Sequence, residues 1–290
     1  MSRPPTLTLP PCARAYRLDT ERGEFAVHDA RPEGDGAPVG TALLVPGFTG
    51  SKEDFIALLA PLAAAGFRVV AIDGRGQHET AGPRTEAAYA QKELALDVLA
   101  QARALGGGEE APLHLLGHSL GGLITRAAVL LDPAPFRSLT ALSSGPGAID
   151  GSQQSRVLTL IDALGRWDME TVWRAMRALD PPEAADAATP PEIGEFLHRR
   201  WLNTVPEQLV VTGRQMIEEP DRVAELAQLP TAKHVVSGAV DYAWPVPLMD
   251  AMAERLSARR TVIKGAEHSP NVECPQATSS ALAGFWRDNG

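Results

Sequence analysis

One stretch constrains this chain more than any other: Leu113-His114-Leu115-Leu116-Gly117-His118-Ser119-Leu120-Gly121-Gly122. An apolar run that reads as a buried strand meets Gly-His-Ser-Leu-Gly. It then passes at once into Leu123 to Leu131, which reads as a helix. A serine that turns between strand and helix is held in a strained conformation with its hydroxyl pushed outward. Glycines two positions to either side let the neighbouring backbone pass. Ser119 is therefore a candidate nucleophile at the mouth of a sheet. The helix behind it aims unpaired N–H groups and a positive end at the same point, so the backbone N–H of Leu120 is a candidate donor to an oxyanion.

The rest of the chain is consistent with a sheet built around that turn. Ala13 to Leu18 and Glu24 to Ala30 alternate apolar and polar residues about a turn-like Asp19 to Gly23, the pattern of an antiparallel edge hairpin. Thr41 to Val45, Phe67 to Ile72 and Ser138 to Leu142 read as short buried strands. Helical runs from about Lys52 to Ala65 and from Glu86 to Leu105 separate the first strands, with Ser51 and Asp54 as a capping box for the first helix. This alternation calls for a mostly parallel sheet covered by helices on both faces. From Gly145 to about Glu207 the pattern changes: Trp167, Met169, Trp173 and Met176 recur at the spacing of one helix face. A Pro- and Ala-rich loop from Asp180 to Pro191 follows, then Phe196 and Trp201. Lys233 to Val240 reads as a strand ending in a loop at Asp241, and after a helix and a further strand His268 stands on a loop.

The Gly-His-Ser-Leu-Gly elbow, with strand before and helix after, resembles that of the α/β-hydrolase family, and the likeness continues along most of the chain. Pro46-Gly47-Phe48 stands where that family usually shows His-Gly-x. The resemblance implies that the backbone N–H of Phe48 is the second oxyanion donor, with Pro46 in place of the usual histidine. Asp73-Gly74-Arg75-Gly76 matches a family Asp-x-Arg-Gly loop, where Asp73 and Arg75 are expected to pair. Gly238-Ala239-Val240-Asp241 before Pro245 matches the usual setting of a triad acid. The implied triad is Ser119, Asp241 and His268, in this fold's order of Ser, Asp, His. Asp150 and Glu267 are rival acids. The implied architecture is an α/β-hydrolase core from residues 1–145 and 208–290 with a helical cap over 146–207. Phe48, Trp167, Trp173 and Trp244 are the candidate substrate-binding side chains.

Composition narrows the partners. A net charge of −9 on 290 residues argues against nucleic acid or an anionic membrane surface as a general partner, since both need clustered Lys and Arg. The two cysteines, Cys12 and Cys274, give neither a disulfide framework nor a zinc site and read as small apolar fillers. No run has the length of a signal peptide core or a membrane span, so a cytoplasmic chain without integral membrane association is expected. The expected activity is hydrolysis of an ester or related acyl bond of a partly apolar small molecule through an acyl-enzyme, with neither metal nor cofactor. An aminopeptidase or amidase, a thioesterase or acyltransferase and a C–C bond hydrolase share the same triad. A peptidase would need carboxylates near the site, and Glu170, Glu183 and Glu195 are the candidates. A non-catalytic receptor on the same fold is the reading from outside the enzymes.

Overall fold

A computed structural model describes residues 1–34, 36–178 and 189–290. The strands are β1 (Ala13–Thr20), β2 (Gly23–Ala30), β3 (Gly40–Val45), β4 (Phe67–Ile72), β5 (Leu113–His118), β6 (Phe136–Leu142), β7 (Ala232–Gly238) and β8 (Arg259–Ile263). Among the described residues they form one eight-stranded sheet in the order β1-β2-β4-β3-β5-β6-β7-β8. The hairpin of β1 and β2 is the antiparallel edge and β2 runs antiparallel to β4; all later pairings are parallel.

Strand residues divide between two cores with the period of two that a pleated strand imposes. Leu43, Val45, Val70, Ile72, Leu115, Leu139 and Val235 face one layer, while Ala42, Leu44, Val69, Ala71, Leu116, Leu142 and Val236 face the other. Helix α1 (Ile56–Ala64) packs on the second face and α2 (Gln91–Ala104) on the first. The order β4-β3-β5 explains this. The chain steps from β3 to β4 on one side and then crosses back over β3 to β5, so helices wound with one hand land on opposite faces. Truncating a fully buried strand residue such as Leu43 removes contacts on a face with no solvent to relax into, at a cost of about 2–5 kcal/mol.

Helix α3 (Leu120–Leu131) follows β5 directly. Between β6 and β7 lie α4 (Gly151–Leu164), α5 (Met169–Ala178), α6 (Pro191–Asn203), α7 (Pro206–Glu218) and the short α8 (Val223–Ala227). Then come α9 (Val246–Leu256), α10 (Pro270–Glu273) and α11 (Pro275–Asp288). Pro191, Pro206, Pro270 and Pro275 open their helices, where the missing N–H has no intrahelical acceptor to lose.

Two expectations are corrected here. The run from Glu86 to Leu105 is not one helix: a single 3₁₀ turn, Glu86–Tyr89, is separated from α2 by Ala90 in extended conformation. The carbonyl of Tyr89 is taken instead by Gln215 Nε2 of α7, at 2.7 Å. Asp73 and Arg75 do not pair with each other, since Arg75 forks onto Asp97 while Asp73 accepts from Lys52. The Asp180 to Pro191 loop falls mostly outside the described residues. None of the described helices is long and apolar enough to cross a membrane.

Candidate active site

Four loops at the carboxyl ends of β3, β5, β7 and β8 meet at one edge of the sheet, where parallel α/β sheets open a crevice. Ser119 sits between β5 and α3 with φ of 55° and ψ of −120°, a conformation that side chains with a Cβ rarely adopt. The glycines around it are sterically required. A Cβ on Gly117 would collide with the backbone of Gly121 and the hydroxyl of Thr125. One on Gly121 would collide with the carbonyl oxygens of Val45 and Pro46. The first turn of α3 is therefore pressed against the end of β3, next to the loop that carries Phe48.

His268 arrives on the loop after β8. Its Nε2 lies 3.1 Å from Ser119 Oγ and its Nδ1 lies 2.9 Å from Asp241 Oδ2. The other oxygen of Asp241 accepts the N–H groups of Ala243 at 2.8 Å and Trp244 at 3.0 Å, so the carboxylate is held from both sides. With Nδ1–H donated to Asp241, Nε2 is free to accept the serine proton. Ser119, Asp241 and His268 are each less than a tenth exposed, which keeps bulk water from competing for these bonds. The rival acids stand elsewhere: Asp150 caps α4 by accepting from Ser152, and Glu267 is exposed.

Above Ser119 runs the loop Pro46 to Gly50. Gly47 passes so close that a Cβ on it would lie 3.1 Å from that of Ser119. The loop is held from outside itself, because Gln77 Nε2 donates to the Gly47 carbonyl at 3.0 Å. Just beyond it, Lys52 donates its backbone N–H to Asp73 and buries its ammonium among the carboxylates of Glu53, Asp73 and Glu79, at 2.8, 3.0 and 2.9 Å. Burial alone would pull that lysine's pKa down; the three carboxylates outweigh it and hold the ammonium charged.

A pocket of about 140 Å³ opens at Ser119 and is walled by Phe48, Ile149, Val157, Met216, Tyr242 and Gln153 among others. No carboxylate or ammonium side chain is among its described lining residues. Phe48 is thus at the pocket, but the three tryptophans expected to bind substrate are not. Trp167 is 53% exposed, lies before α5 rather than on its face, and borders a separate surface hollow. Trp173 packs with Val172 and Trp201 among the helices and stacks on His198. Trp244 is wholly buried and donates Nε1–H to the Gly147 carbonyl. Glu170 is committed to Arg174 and His198, Glu195 is exposed, and Glu183 lies outside the described residues. His78 is buried with φ of 44° and meets Phe196 edge-on, away from the pocket lining.

Sequence reasoning reads His118 as a structural histidine of the turn without its partner, and misses Tyr242. His118 donates Nε2–H to the carbonyl of His268 at 2.9 Å, and burial, together with the neighbouring His268, pushes its pKa down to about 4. It is therefore a neutral strut between the strand that leads into Ser119 and the loop that carries His268. The ring of Tyr242 lies 4.7 Å from that of His268, centroid to centroid, and covers the imidazole. Adjacency to Ser119 and Asp241 was the only signal for either, and it says nothing of direction.

The model of the alpha/beta hydrolase family matches residues 42–281. The chain belongs to the alpha/beta hydrolase family. It is 29% identical over 234 residues to the pimeloyl-[acyl-carrier protein] methyl ester esterase of Aeromonas hydrophila, covering 75% of this chain and 84% of that protein. A Variovorax paradoxus protein that carries the name of a carbamate hydrolase, RutD, is 34% identical over 125 residues. That match covers 42% of this chain and less than half, 46%, of the relative's own length. Among solved structures, the enol-lactonase of Burkholderia xenovorans superposes with a TM-score of 0.76 at 18% identity, covering 94% of this chain and all of that one, which is a likeness of fold.

Proposed function

We propose that this α/β hydrolase is a serine hydrolase that cleaves a partly apolar ester through an acyl-enzyme. The observation that carries the reading is the unbroken line of hydrogen bonds from Ser119 through His268 to Asp241, at 3.1 and 2.9 Å. Ser119 Oγ attacks the ester carbonyl as His268 Nε2 takes its proton. The C–O bond to the alcohol then breaks as the imidazolium returns that proton to the leaving oxygen. Water repeats the sequence to release the acid and restore Ser119. Asp241 holds the imidazole in the productive tautomer and stabilises its charged form. The N–H groups of Phe48 and Leu120 take the negative charge of each tetrahedral intermediate. The chemistry needs neither metal nor organic cofactor, and residues 146–207 act as the cap that narrows access.

The substrate class follows from the pocket walls. Phe48, Ile149, Val157 and Met216 favour an apolar acyl group, and an apolar cavity of ~150 Å³ is large enough for benzene, so a short or branched acyl chain fits. Esterase relatives support the ester over other acyl bonds. Among the described residues, none brings a carboxylate to the pocket to meet a free amino group, which weighs against the aminopeptidase reading.

The test is turnover of p-nitrophenyl esters from acetate to octanoate, with labelling by a fluorophosphonate. Hydrolysis that peaks at a short chain, with labelling lost in Ser119→Ala, is expected. Ser119→Ala and His268→Ala should each lower kcat by about six orders of magnitude, and Asp241→Asn by about four. A wild-type protein that neither labels nor turns over any ester would support the receptor reading instead.

A further inference from the structure

Arg200 lies on α6, among the helices between β6 and β7, yet its guanidinium is 0% exposed and its partners belong to the core. Nη1 donates to Asp54 Oδ1 at 2.7 Å and to Ser51 Oγ at 3.3 Å, and Nη2 donates to the carbonyl of Ser2 at 2.8 Å. Asp54 is where three segments converge. Its Oδ2 accepts the N–H of Ser51 at 3.3 Å and lies so near Gly50 that a Cβ there would be 2.6 Å away. Its backbone carbonyl accepts Asn271 Nδ2 at 2.7 Å, on the helix that follows His268. One carboxylate residue thus touches the end of the Phe48 loop, the loop of the candidate base and, through Arg200, the helices over the site.

We propose that Arg200 is a positioning residue: acting through Asp54, it sets the loop that presents the Phe48 N–H, so that oxyanion stabilisation depends on α6 being docked. The proposal rests on the serine-hydrolase reading and adds a residue to it that touches no reacting atom. A purely structural role explains the arrangement less well. Two charges removed from water recover little net stability by pairing, and an apolar contact of the same volume serves at least as well for holding two elements together. What the pair supplies is direction, since a guanidinium whose two Nη atoms bond Asp54, Ser51 and Ser2 fixes where the loop ends relative to Ser119, while its buried Nε is left without a partner. Removing Arg200 leaves Asp54 buried without its cation and frees the loop by fractions of an ångström, which is enough to misplace an oxyanion donor.

The experiment compares wild type, Arg200→Met, Arg200→Lys and Asp54→Asn on the best p-nitrophenyl ester, with rates referred to fluorophosphonate-titrated sites. Inhibition by an alkyl trifluoromethyl ketone, whose adduct with Ser119 carries an oxyanion, is measured alongside. Arg200→Met should lower kcat about 100-fold, on the order of losing one oxyanion donor, with KM within about threefold of wild type. The ketone should weaken by a similar factor, and millimolar guanidinium should restore part of kcat. Arg200→Lys should fall between, because one ammonium cannot meet partners on two segments. Arg174→Met, which removes a surface pair with Glu170, should be unchanged in all of these.

A per-site kcat and ketone affinity that stay at the wild-type level while the melting temperature falls would overturn the proposal in favour of a simple staple. A raised KM at constant kcat would do so in favour of a pocket wall. If Arg200→Met does not fold, the same readouts on Arg200→Lys and Asp54→Asn decide it. A wild type without labelling or turnover overturns the serine-hydrolase reading and this proposal together, whereas an active wild type with insensitive variants overturns this proposal alone.

Discussion

A methyl group at residue 121 has nowhere to go, because the carbonyl oxygens of Val45 and Pro46 already occupy its place. Both are backbone atoms at the end of a buried strand, so neither can swing aside as a flexible side chain would. Gly121→Ala must push the first turn of α3 away from the Phe48 loop, which separates the two N–H groups proposed to share an oxyanion. The expected outcome is a loss of about 1–3 kcal/mol in stability from overpacking. A larger effect is expected on kcat, about 100-fold, comparable to losing one oxyanion donor. Urea melts beside steady-state kinetics on one ester check both, and a variant that loses stability alone would separate the glycine from the chemistry. Gly122 offers a milder comparison. Its Cβ would strike the side chain of Ser144 rather than backbone, so Ser144→Gly should rescue Gly122→Ala but not Gly121→Ala.

At the scale of elements, the proposed acyl preference is open to test. Met216 on α7 and Val157 on α4 line the pocket beside Ser119 from two helices that pack together. Met216→Ala should enlarge the cavity and move the preferred acyl chain toward longer esters, raising kcat/KM for octanoate relative to butyrate by about tenfold. That factor corresponds to one or two extra methylenes of burial. Trp167→Ala should leave the profile unchanged, because that ring faces solvent. A profile that ignores Met216 but follows Trp167 would relocate the acyl site to the outer hollow.

The same helices show what a one-dimensional reading can reach. Period two in the strands, the glycine-flanked turn and the hairpin at the edge are local patterns, and each specifies its element. A helical stripe such as Met169, Trp173 and Met176 says that one face is apolar. It does not say whether that face meets substrate or a neighbouring helix, and here Trp173 meets Trp201. Arg200 and Asp54 leave no periodic mark at all, since they lie 146 residues apart in the chain. Asp73 and Arg75 differ from expectation for a related reason: adjacency in sequence suggests a pair, while their partners Lys52 and Asp97 lie 21 and 22 residues away.

For the molecule as a whole, acid is the sharpest test of how the sheet is packed. Besides His268, five imidazoles are buried, those of His28, His78, His114, His118 and His234, and burial pushes the first four down to about 4 and the last to about 3. The fold therefore prefers each ring neutral, while the unfolded chain protonates it near pH 6.5. Between pH 6.5 and 4 the unfolded state binds more protons than the native one, so stability rises with pH across this window and is lost as pH falls through it. Each ring is worth on the order of 3 kcal/mol when the whole shift is counted. Asp54 and Asp73, both pushed up by burial, take up protons in the fold and offset part of the loss. The remainder is still large beside a total stability of about 5–15 kcal/mol. The melting temperature should accordingly fall steeply from pH 6.5 to 4, above the range where ordinary carboxylates titrate. His114→Gln should make the slope shallower by about one proton, since that ring lies at the start of β5, stacked on Trp286 and bonded to Ser138, remote from Ser119. Thermal melts of wild type and variant at half-unit steps decide it, and a melting temperature level from pH 7 to 4 would mean that these rings are reached by water in the folded protein.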